Sequence, residues 1–272
     1  MIEFVKLHGN GNDFILIDEH NGEVIADKDK SDFALRYCDR RFGIGADGVL
    51  YLGSSDKADI RMRIFNSDGT EAEMCGNGIR CLVKYALDKG YVKEKTTVET
   101  PAGILSITMR NGKKTRVTVN MGKPSFMRKN IPAKGTGEFL DVSMHGFRVS
   151  AVNTGVPHAV IFVDSLVDVE LFKKAPEIRH DPVFPKGTNV NFVHVDSENE
   201  ITIRTYERGV EAETLSCGTG SVASAVVAHK LGKTGSKVKV NTKGGELFVS
   251  LTDGTAFMEG PSERVFDGMI QG

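Results

Sequence analysis

The chain repeats itself, and this limits its fold more than any other feature of the sequence. Cys75-Gly76-Asn77-Gly78 is answered 142 residues later by Cys217-Gly218-Thr219-Gly220. At the same offset, Phe42-Gly43-Ile44-Gly45 is answered by Phe184-Pro185-Lys186-Gly187, Gly90 by Gly232, Val98-Glu99-Thr100 by Val240-Asn241-Thr242, and Gly103 by Gly245. With small slips, Arg63-Ile64-Phe65-Asn66 aligns with Arg204-Thr205-Tyr206-Glu207, and Glu71-Ala72-Glu73 with Glu211-Ala212-Glu213. Near the start of each half, GNGNDFILID (Gly9 to Asp18) matches GVPHAVIFVD (Gly155 to Asp164) at an offset of 146. Matches in one order at nearly one spacing indicate a duplicated domain, and a period this long is two copies of one fold rather than a solenoid. MGKP (Met121 to Pro124) closes the first copy and MEGP (Met258 to Pro261) the second, which sets a boundary near residue 121.

Each half reads as strands around one strong helix, an α+β fold of two pseudo-symmetric domains. Strands are predicted at Ile2 to Leu7, Phe14 to Asp18, Val49 to Leu52, Ile60 to Phe65, Ile104 to Met109 and Thr115 to Asn120. Their echoes are Phe147 to Val152, Ala159 to Val163, Asn191 to Val195, Ile201 to Tyr206, Leu247 to Leu251 and Thr255 to Met258. The first strong helix is predicted from Asn77 to Lys89, with Ile79, Leu82, Val83, Ala86 and Leu87 on one face and Gly90 as its stop. The second runs from Thr219 to Leu231, and its small apolar body VASAVVA should be buried all round. Shorter helices are predicted at Ser31 to Arg41 and Leu166 to Lys174.

Composition narrows the function classes. The formal charge of −1 gives no electrostatic reason to expect nucleic acid or an anionic membrane as partner. No apolar run approaches the roughly 18 to 20 residues of a transmembrane helix. Glu3, Lys6, Asn10, Asn12 and Asp13 interrupt any apolar core of a secretory signal, so a cytoplasmic protein is expected. The four cysteines are too few for a disulfide framework and lack zinc-ligand spacing, so no metal is expected. Gly43, Gly45 and Gly48 spell G-x-G-x-x-G, but a helix precedes and a strand follows, the reverse of a dinucleotide site. His20, His145, His180, His194 and His229 show no convergent partners in the sequence.

The two Cys-Gly-x-Gly units carry the chemistry. Cys38 and Cys81 read as small buried hydrophobes, whereas Cys75 and Cys217 each stand at the mouth of a helix, where N–H groups and the dipole stabilise a thiolate. The glycines that follow leave the backbone bare, so those N–H groups can receive a carboxylate. Two such thiols related by a duplication suit inversion of a stereocentre. One removes a proton from one face of a carbon while the other delivers a proton to the opposite face, from a cleft between the halves.

The residues resemble the diaminopimelate epimerase family along essentially the whole chain. The marks are HGNGNDF (His8 to Phe14), RIFNSDG followed by MCGNG (Arg63 to Gly78), PH (Pro157, His158), TNVNF (Thr188 to Phe192), ERG (Glu207 to Gly209) and SCGTG (Ser216 to Gly220). The resemblance implies two similar domains, each a curled sheet around a central helix, and a pyridoxal-phosphate-independent epimerase of LL- and meso-diaminopimelate that needs no cofactor. It implies that a last strand, Val265 to Ile270, returns to the first domain. The halves then comprise residues 1–121 with 265–272, carrying Cys75, and residues 122–264, carrying Cys217.

By the same resemblance Cys75 and Cys217 are the acid/base thiols. Asn12, Asn66, Asn189, Glu207 and Arg208 line the substrate pocket, and Gly76, Asn77, Gly218 and Thr219 offer backbone N–H groups. His158 sits beside the thiols. Arg208 suits a distal carboxylate, and a small-molecule amino acid is the expected partner. The chain carries Val156 where family members often have Asn, and Gly48 where many have Gln; either Asn153 compensates or the pocket accepts a different amino acid. Two other readings stay open: a racemase of another amino acid on the same fold, and a non-catalytic thiol switch or binding protein. Oligomeric state is not fixed by the sequence, and a homodimer is carried forward.

Overall fold

The computed structural model describes residues 1–110, 115–167 and 170–271. The chain forms two compact units, Met1–Val119 with Gly260–Gly272, and Asn120–Glu259. Along the first stretch come β1 (Ile2–Gly9), β2 (Asn12–Glu19), α1 (Lys30–Tyr37), β3 (Gly48–Gly53), β4 (Ile60–Asn66), β5 (Glu71–Ala72), α2 (Gly76–Asp88), β6 (Lys95–Thr100), β7 (Gly103–Arg110) and β8 (Arg116–Gly122). The second brings β9 (Val142–Met144), β10 (Phe147–Asn153), β11 (Pro157–Phe162), α3 (Leu171–Arg179), β12 (Asn189–Ser197), β13 (Glu200–Glu207), β14 (Ala212–Thr214), α4 (Gly218–Lys230), β15 (Lys237–Thr242), β16 (Gly245–Thr252), β17 (Thr255–Pro261) and finally β18 (Glu263–Ile270).

The two ladders agree strand for strand. In the first unit β1 pairs antiparallel with β2, β2 parallel with β3, β3 antiparallel with β4, and β4 parallel with β6, which continues antiparallel into β7 and β8. In the second, β10 through β17 repeat that sequence of directions. Each leading strand has one further antiparallel neighbour. For β1 this is β18, with Ile2 opposite Ile270, and for β10 it is β9, with Phe147 opposite Met144. The duplication read from the sequence is therefore a duplication of topology.

Each sheet is mostly antiparallel and curls around its helix. α2 packs on β1, β2, β3 and β4, and α4 on β10, β11, β12, β13, β15 and β16. The small residues of α4 are buried along its length, as the all-round apolar pattern requires. The outer face of each sheet is covered too. Phe33 and Ala34 of α1 pack with Ile15, Ile17, Val49 and Tyr51, while Ala175 and Ile178 of α3 pack with Ala159, Ile161, Val190 and Phe192. Burial on both faces explains why β2 and β11 carry continuous apolar runs rather than alternating ones.

Several elements differ from the sequence reading, each for a local reason. α1 ends at Tyr37, not Arg41, because Asp39 Oδ1 accepts from the Arg41 and Phe42 amides at 2.7 Å and turns the chain. α3 occupies Leu171–Arg179 rather than Leu166 to Lys174. Ser165 Oγ accepts from the Val167 amide, a turn at the predicted start, and residues 168–169 of that prediction lie outside the described residues. Pro176, a helix breaker by composition, is carried within α3 while Ala175 and Ile178 beside it are buried. The strands β6 and β15 were not foreseen, since lysine-rich flanks mask an alternation that buries Thr96, Val98 and Thr100 in one and Val238 and Val240 in the other. His145 does have partners: its ring lies 2.8 Å from Asp181 and 3.7 Å from Glu177. His180 stands 3.6 Å from Glu211. Among the described residues no helix is long and apolar enough to cross a membrane.

Phe192 is fully buried, edge-on to Phe147 at 5.7 Å between ring centroids. Phe192→Ala should cost about 3 to 5 kcal/mol of stability, read as a lower urea midpoint in equilibrium unfolding. A midpoint equal to that of the parent protein would show that this core is not packed as described.

Candidate active site

Both Cys-Gly-x-Gly cysteines are helix N-caps. Cys75, with φ −139° and ψ 119°, caps α2, and Cys217, with φ −113° and ψ 113°, caps α4. Each sulfur accepts a hydrogen bond from the third helical amide, Gly78 N or Gly220 N, at 3.4 Å. A sulfur in the place usually held by a Ser or Asp oxygen faces the positive end of the helix dipole, which favours its anionic form. The amides of Gly76 and Asn77, and of Gly218 and Thr219, head the same helix ends. At Gly220 a side chain is sterically excluded: a Cβ would stand 2.5 Å from Asn191 Oδ1 and 3.3 Å from the Cys217 sulfur. Cys38 and Cys81 are buried, and burial pushes both thiols up to about 12.

Beside Cys75 runs a chain of amides whose orientation is fixed at both ends. Arg80 Nη2 donates to Asn77 Oδ1 at 2.9 Å, so the Asn77 nitrogen faces Asn12 and donates to Asn12 Oδ1 at 3.1 Å. At the far end Asn12 Nδ2 donates to the Asp47 carboxylate at 2.7 Å. The oxygen of Asn12 is therefore what Cys75 meets, at 3.7 Å from its sulfur. Arg80 is fully buried and also donates to Asn10 Oδ1, Gly76 O and Pro261 O at 3.0 to 3.2 Å. Burial lowers its pKa to about 10, which leaves it a cation at neutral pH.

Beside Cys217 the polar chain runs through an imidazole. Asn191 Nδ2 donates to Ala159 O at 3.0 Å and reaches His158 Nδ1 at 3.1 Å, while its Oδ1 accepts from Thr205 Oγ1 at 3.0 Å. His158 Nδ1 is thus an acceptor and the ring proton sits on Nε2, 2.9 Å from Thr219 Oγ1. The Thr219 hydroxyl accepts from the imidazole and lies 3.5 Å from the Cys217 sulfur, a contact in which either atom can donate. Burial, with the Arg208 cation as a smaller cause, brings the His158 pKa down to about 3, so the ring is neutral.

The remaining predicted residues divide between the two units. Asn66 closes the turn after β4 by donating to Thr70 Oγ1 at 3.0 Å. Asn189 donates to Pro157 O at 2.9 Å and accepts from the Arg208 amide at 2.8 Å, so it holds the Glu207–Arg208 corner in place. Thr214 donates to the Glu207 carboxylate. The Arg208 guanidinium donates to Lys186 O at 3.1 Å and its pKa is lowered, chiefly by burial. Asn153, the residue expected to compensate for Val156, accepts from the Gly155 amide at 2.8 Å and donates to Asn130 O at 2.6 Å. At Gly48 a Cβ would stand 2.7 Å from the Phe65 carbonyl oxygen, so a side chain there requires β4 to shift.

Arg80, Asn10, Asp47, Asn191 and Thr205 were not singled out from sequence. The signal for Asn191 was present: with Asn189 it lies on one face of a strand buried along its first half. For Arg80 it was a charge inside the helix, one turn from Asn77.

This architecture is shared with solved structures. A PhzF-family phenazine biosynthesis protein from Bacillus anthracis superposes with a TM-score of 0.74 at 18% identity, covering 99% of each chain. A hydroxyproline epimerase from Agrobacterium vitis superposes at 0.70 and 18% identity, covering 98% of this chain and 91% of its own. At that identity the likeness defines the fold class, the two-unit fold of racemases, epimerases and PhzF proteins. The sequence comparisons are more specific. The family model for diaminopimelate epimerase matches residues 4–127 and 150–265. The diaminopimelate epimerase of Methanothrix thermoacetophila is 58% identical over 270 residues, covering 99% of this chain and 96% of that one. The Archaeoglobus fulgidus protein of the same name is 54% identical with the same coverage. The chain belongs to the diaminopimelate epimerase family.

His158 supplies a test of this geometry. Its folded pKa near 3 lies below the ordinary 6.5, so under acid the unfolded chain binds a proton that the folded chain refuses. Its contribution to stability is therefore present above about pH 6.5 and is lost as pH falls toward about 3. In NMR spectra the His158 ring signals should not move between pH 8 and pH 5. A titration centred near 6.5 would contradict the buried neutral ring.

Proposed function

We propose that this member of the diaminopimelate epimerase family interconverts LL- and meso-diaminopimelate in lysine and cell-wall precursor synthesis, with Cys75 and Cys217 as its acid/base pair and without pyridoxal phosphate. The observation that carries the reading is the equivalence of the two sulfurs, each an N-cap receiving the third amide of its unit's central helix. One thiolate takes the α-proton, and the other thiol delivers a proton to the opposite face of the same carbon. The carbanion between these steps is stabilised through its carboxylate, for which the amides of Gly76, Asn77, Gly218 and Thr219 and both helix dipoles are suited. Asn12 and Asn66 contribute polar contacts to the zwitterion, Glu207 receives an ammonium, and Arg208, held by Asn189, pairs with the distal carboxylate. His158 acts through Thr219.

Cys75→Ala and Cys217→Ala should each reduce epimerisation on the order of 10³-fold, the scale of a lost general acid or base, with unchanged circular dichroism. Either folded variant keeping a tenth or more of the turnover would remove that cysteine from the mechanism.

We further propose a cytoplasmic homodimer. The dimer reading is supported by β18, where Val265, Phe266 and Met269 are 55%, 47% and 62% exposed. Light scattering should give twice the 29.6 kDa chain mass, and Phe266→Glu should return the monomer mass. A parent protein at the monomer mass would refute the dimer.

A further inference from the structure

We propose that the two sulfurs differ in protonation before substrate binds, with the resting proton on Cys75 and a thiolate at Cys217. The inference rests on the reading of these cysteines as the acid/base pair, and it adds which is acid and which is base at rest. Each sulfur accepts from the third amide of its helix, so that contact does not distinguish them; beyond it Cys75 faces an oxygen, Asn12 Oδ1, that accepts and has no hydrogen to give. Its orientation is enforced by a cation at one end of the relay, Arg80, and a carboxylate at the other, Asp47. A protonated sulfur donates to that oxygen, whereas a thiolate would meet a like partial charge. Beyond the shared amide contact Cys217 faces the Thr219 hydroxyl, which accepts the Nε2 proton of a neutral His158 and has its own hydrogen to give to sulfur. The links from Thr205 through Asn191 fix the His158 tautomer that leaves the Thr219 hydrogen available to sulfur.

The asymmetry sits where the duplicated halves have diverged. Asn12 in GNGND is answered by His158 in GVPHA, and Asn77 by Thr219, so the amide that presents an oxygen in one half becomes an imidazole and hydroxyl that present hydrogens in the other. Asn10 and its partner Arg80 are answered together by Val156 and Val222. The surrounding charges act in the following directions. In the first unit Arg80 on α2 favours an anion at Cys75, while Asp47 before β3, at the other end of the same relay, is paired with Arg40 at 2.7 Å. In the second unit the Arg208 cation acts on the neutral His158, and the Glu207 carboxylate is held by Thr214. At Cys75 the assignment is therefore carried by hydrogen-bond polarity, against the Arg80 cation, and in the second unit His158 adds no charge of its own.

Turnover from this state is balanced. The Cys217 thiolate forms an S–H bond as the substrate C–H bond breaks, with the electron pair passing to the carboxylate-stabilised carbanion. The Cys75 S–H bond breaks as its proton reaches the opposite face. The enzyme is left with a Cys75 thiolate and a Cys217 thiol, and proton exchange with water restores the resting form. Asn12 on one side, and His158, Asn191 and Thr219 on the other, are positioning residues for this asymmetry.

Infrared spectroscopy of the S–H stretch in substrate-free, reduced protein tests it independently of reagent access. The buried thiols Cys38 and Cys81 contribute equally to every sample. Subtracting the Cys75→Ala spectrum from that of the parent should leave one S–H band, and subtracting Cys217→Ala should leave none. Thr219→Val should create a Cys217 S–H band, while Thr219→Ser, which keeps the hydroxyl, should not. Any other pattern overturns the assignment. Epimerisation assays on the same two alanine variants separate the outcomes: full turnover in both would sink the acid/base reading itself, whereas lost turnover with the wrong infrared pattern sinks only the asymmetry.

Discussion

A helix enclosed by a curled sheet has one end from which its dipole acts with little solvent screening, and in both units that end is capped by sulfur. The hydrogen bond from the third amide to the cysteine requires an extended residue before a glycine-rich first turn, and both halves supply it. Much of the rest follows from enclosing that helix. α4 must be small and apolar on every side, and the strands around it must be apolar on both faces because α3 covers the outside. The loops that reach the helix mouth must also carry polar side chains that satisfy one another, since a buried amide or guanidinium without partners costs more than the site gains. The relays from Arg80 to Asp47 and from Thr205 to Cys217 meet that demand and orient the sulfurs at the same time.

Duplication gives the chain two equivalent thiols, but the proposed reaction, with one acid and one base, needs them to differ. The fold is conserved between the halves down to the direction of each strand pairing, while the side chains nearest the sulfurs are not. Polarity at a few positions, rather than backbone shape, distinguishes the two sites. A glycine where any Cβ would strike Asn191 and the Cys217 sulfur shows how little room that arrangement leaves.

Much of this was legible in the sequence because duplication converts weak local signals into paired ones. The cysteine helices were placed within a residue or so of their ends, and the Gly43-to-Gly48 loop was read as preceding a strand, which it does. The misses have physical causes. β6 and β15 were obscured by lysines that tell of exposed ends rather than buried middles, and the extent of α3 by a proline that the helix tolerates. Residue identity disclosed the two helix-capping sulfurs and the glycines that follow them. It did not disclose Arg80, Asn10, Asp47, Asn191 or Thr205, because their roles depend on hydrogen-bond direction across strands far apart in sequence. Asn66 and Asn189, expected from the resemblance to meet substrate, have turn and corner contacts that sequence alone does not reveal.

The account's central claim is proton exchange at one carbon without a cofactor. Proton NMR of the purified, reduced protein with LL-diaminopimelate in D₂O, with no pyridoxal phosphate added, addresses it directly. The expected result is loss of an α-proton signal together with appearance of the meso isomer. A folded protein that leaves both the α-proton and the stereochemistry untouched would contradict it.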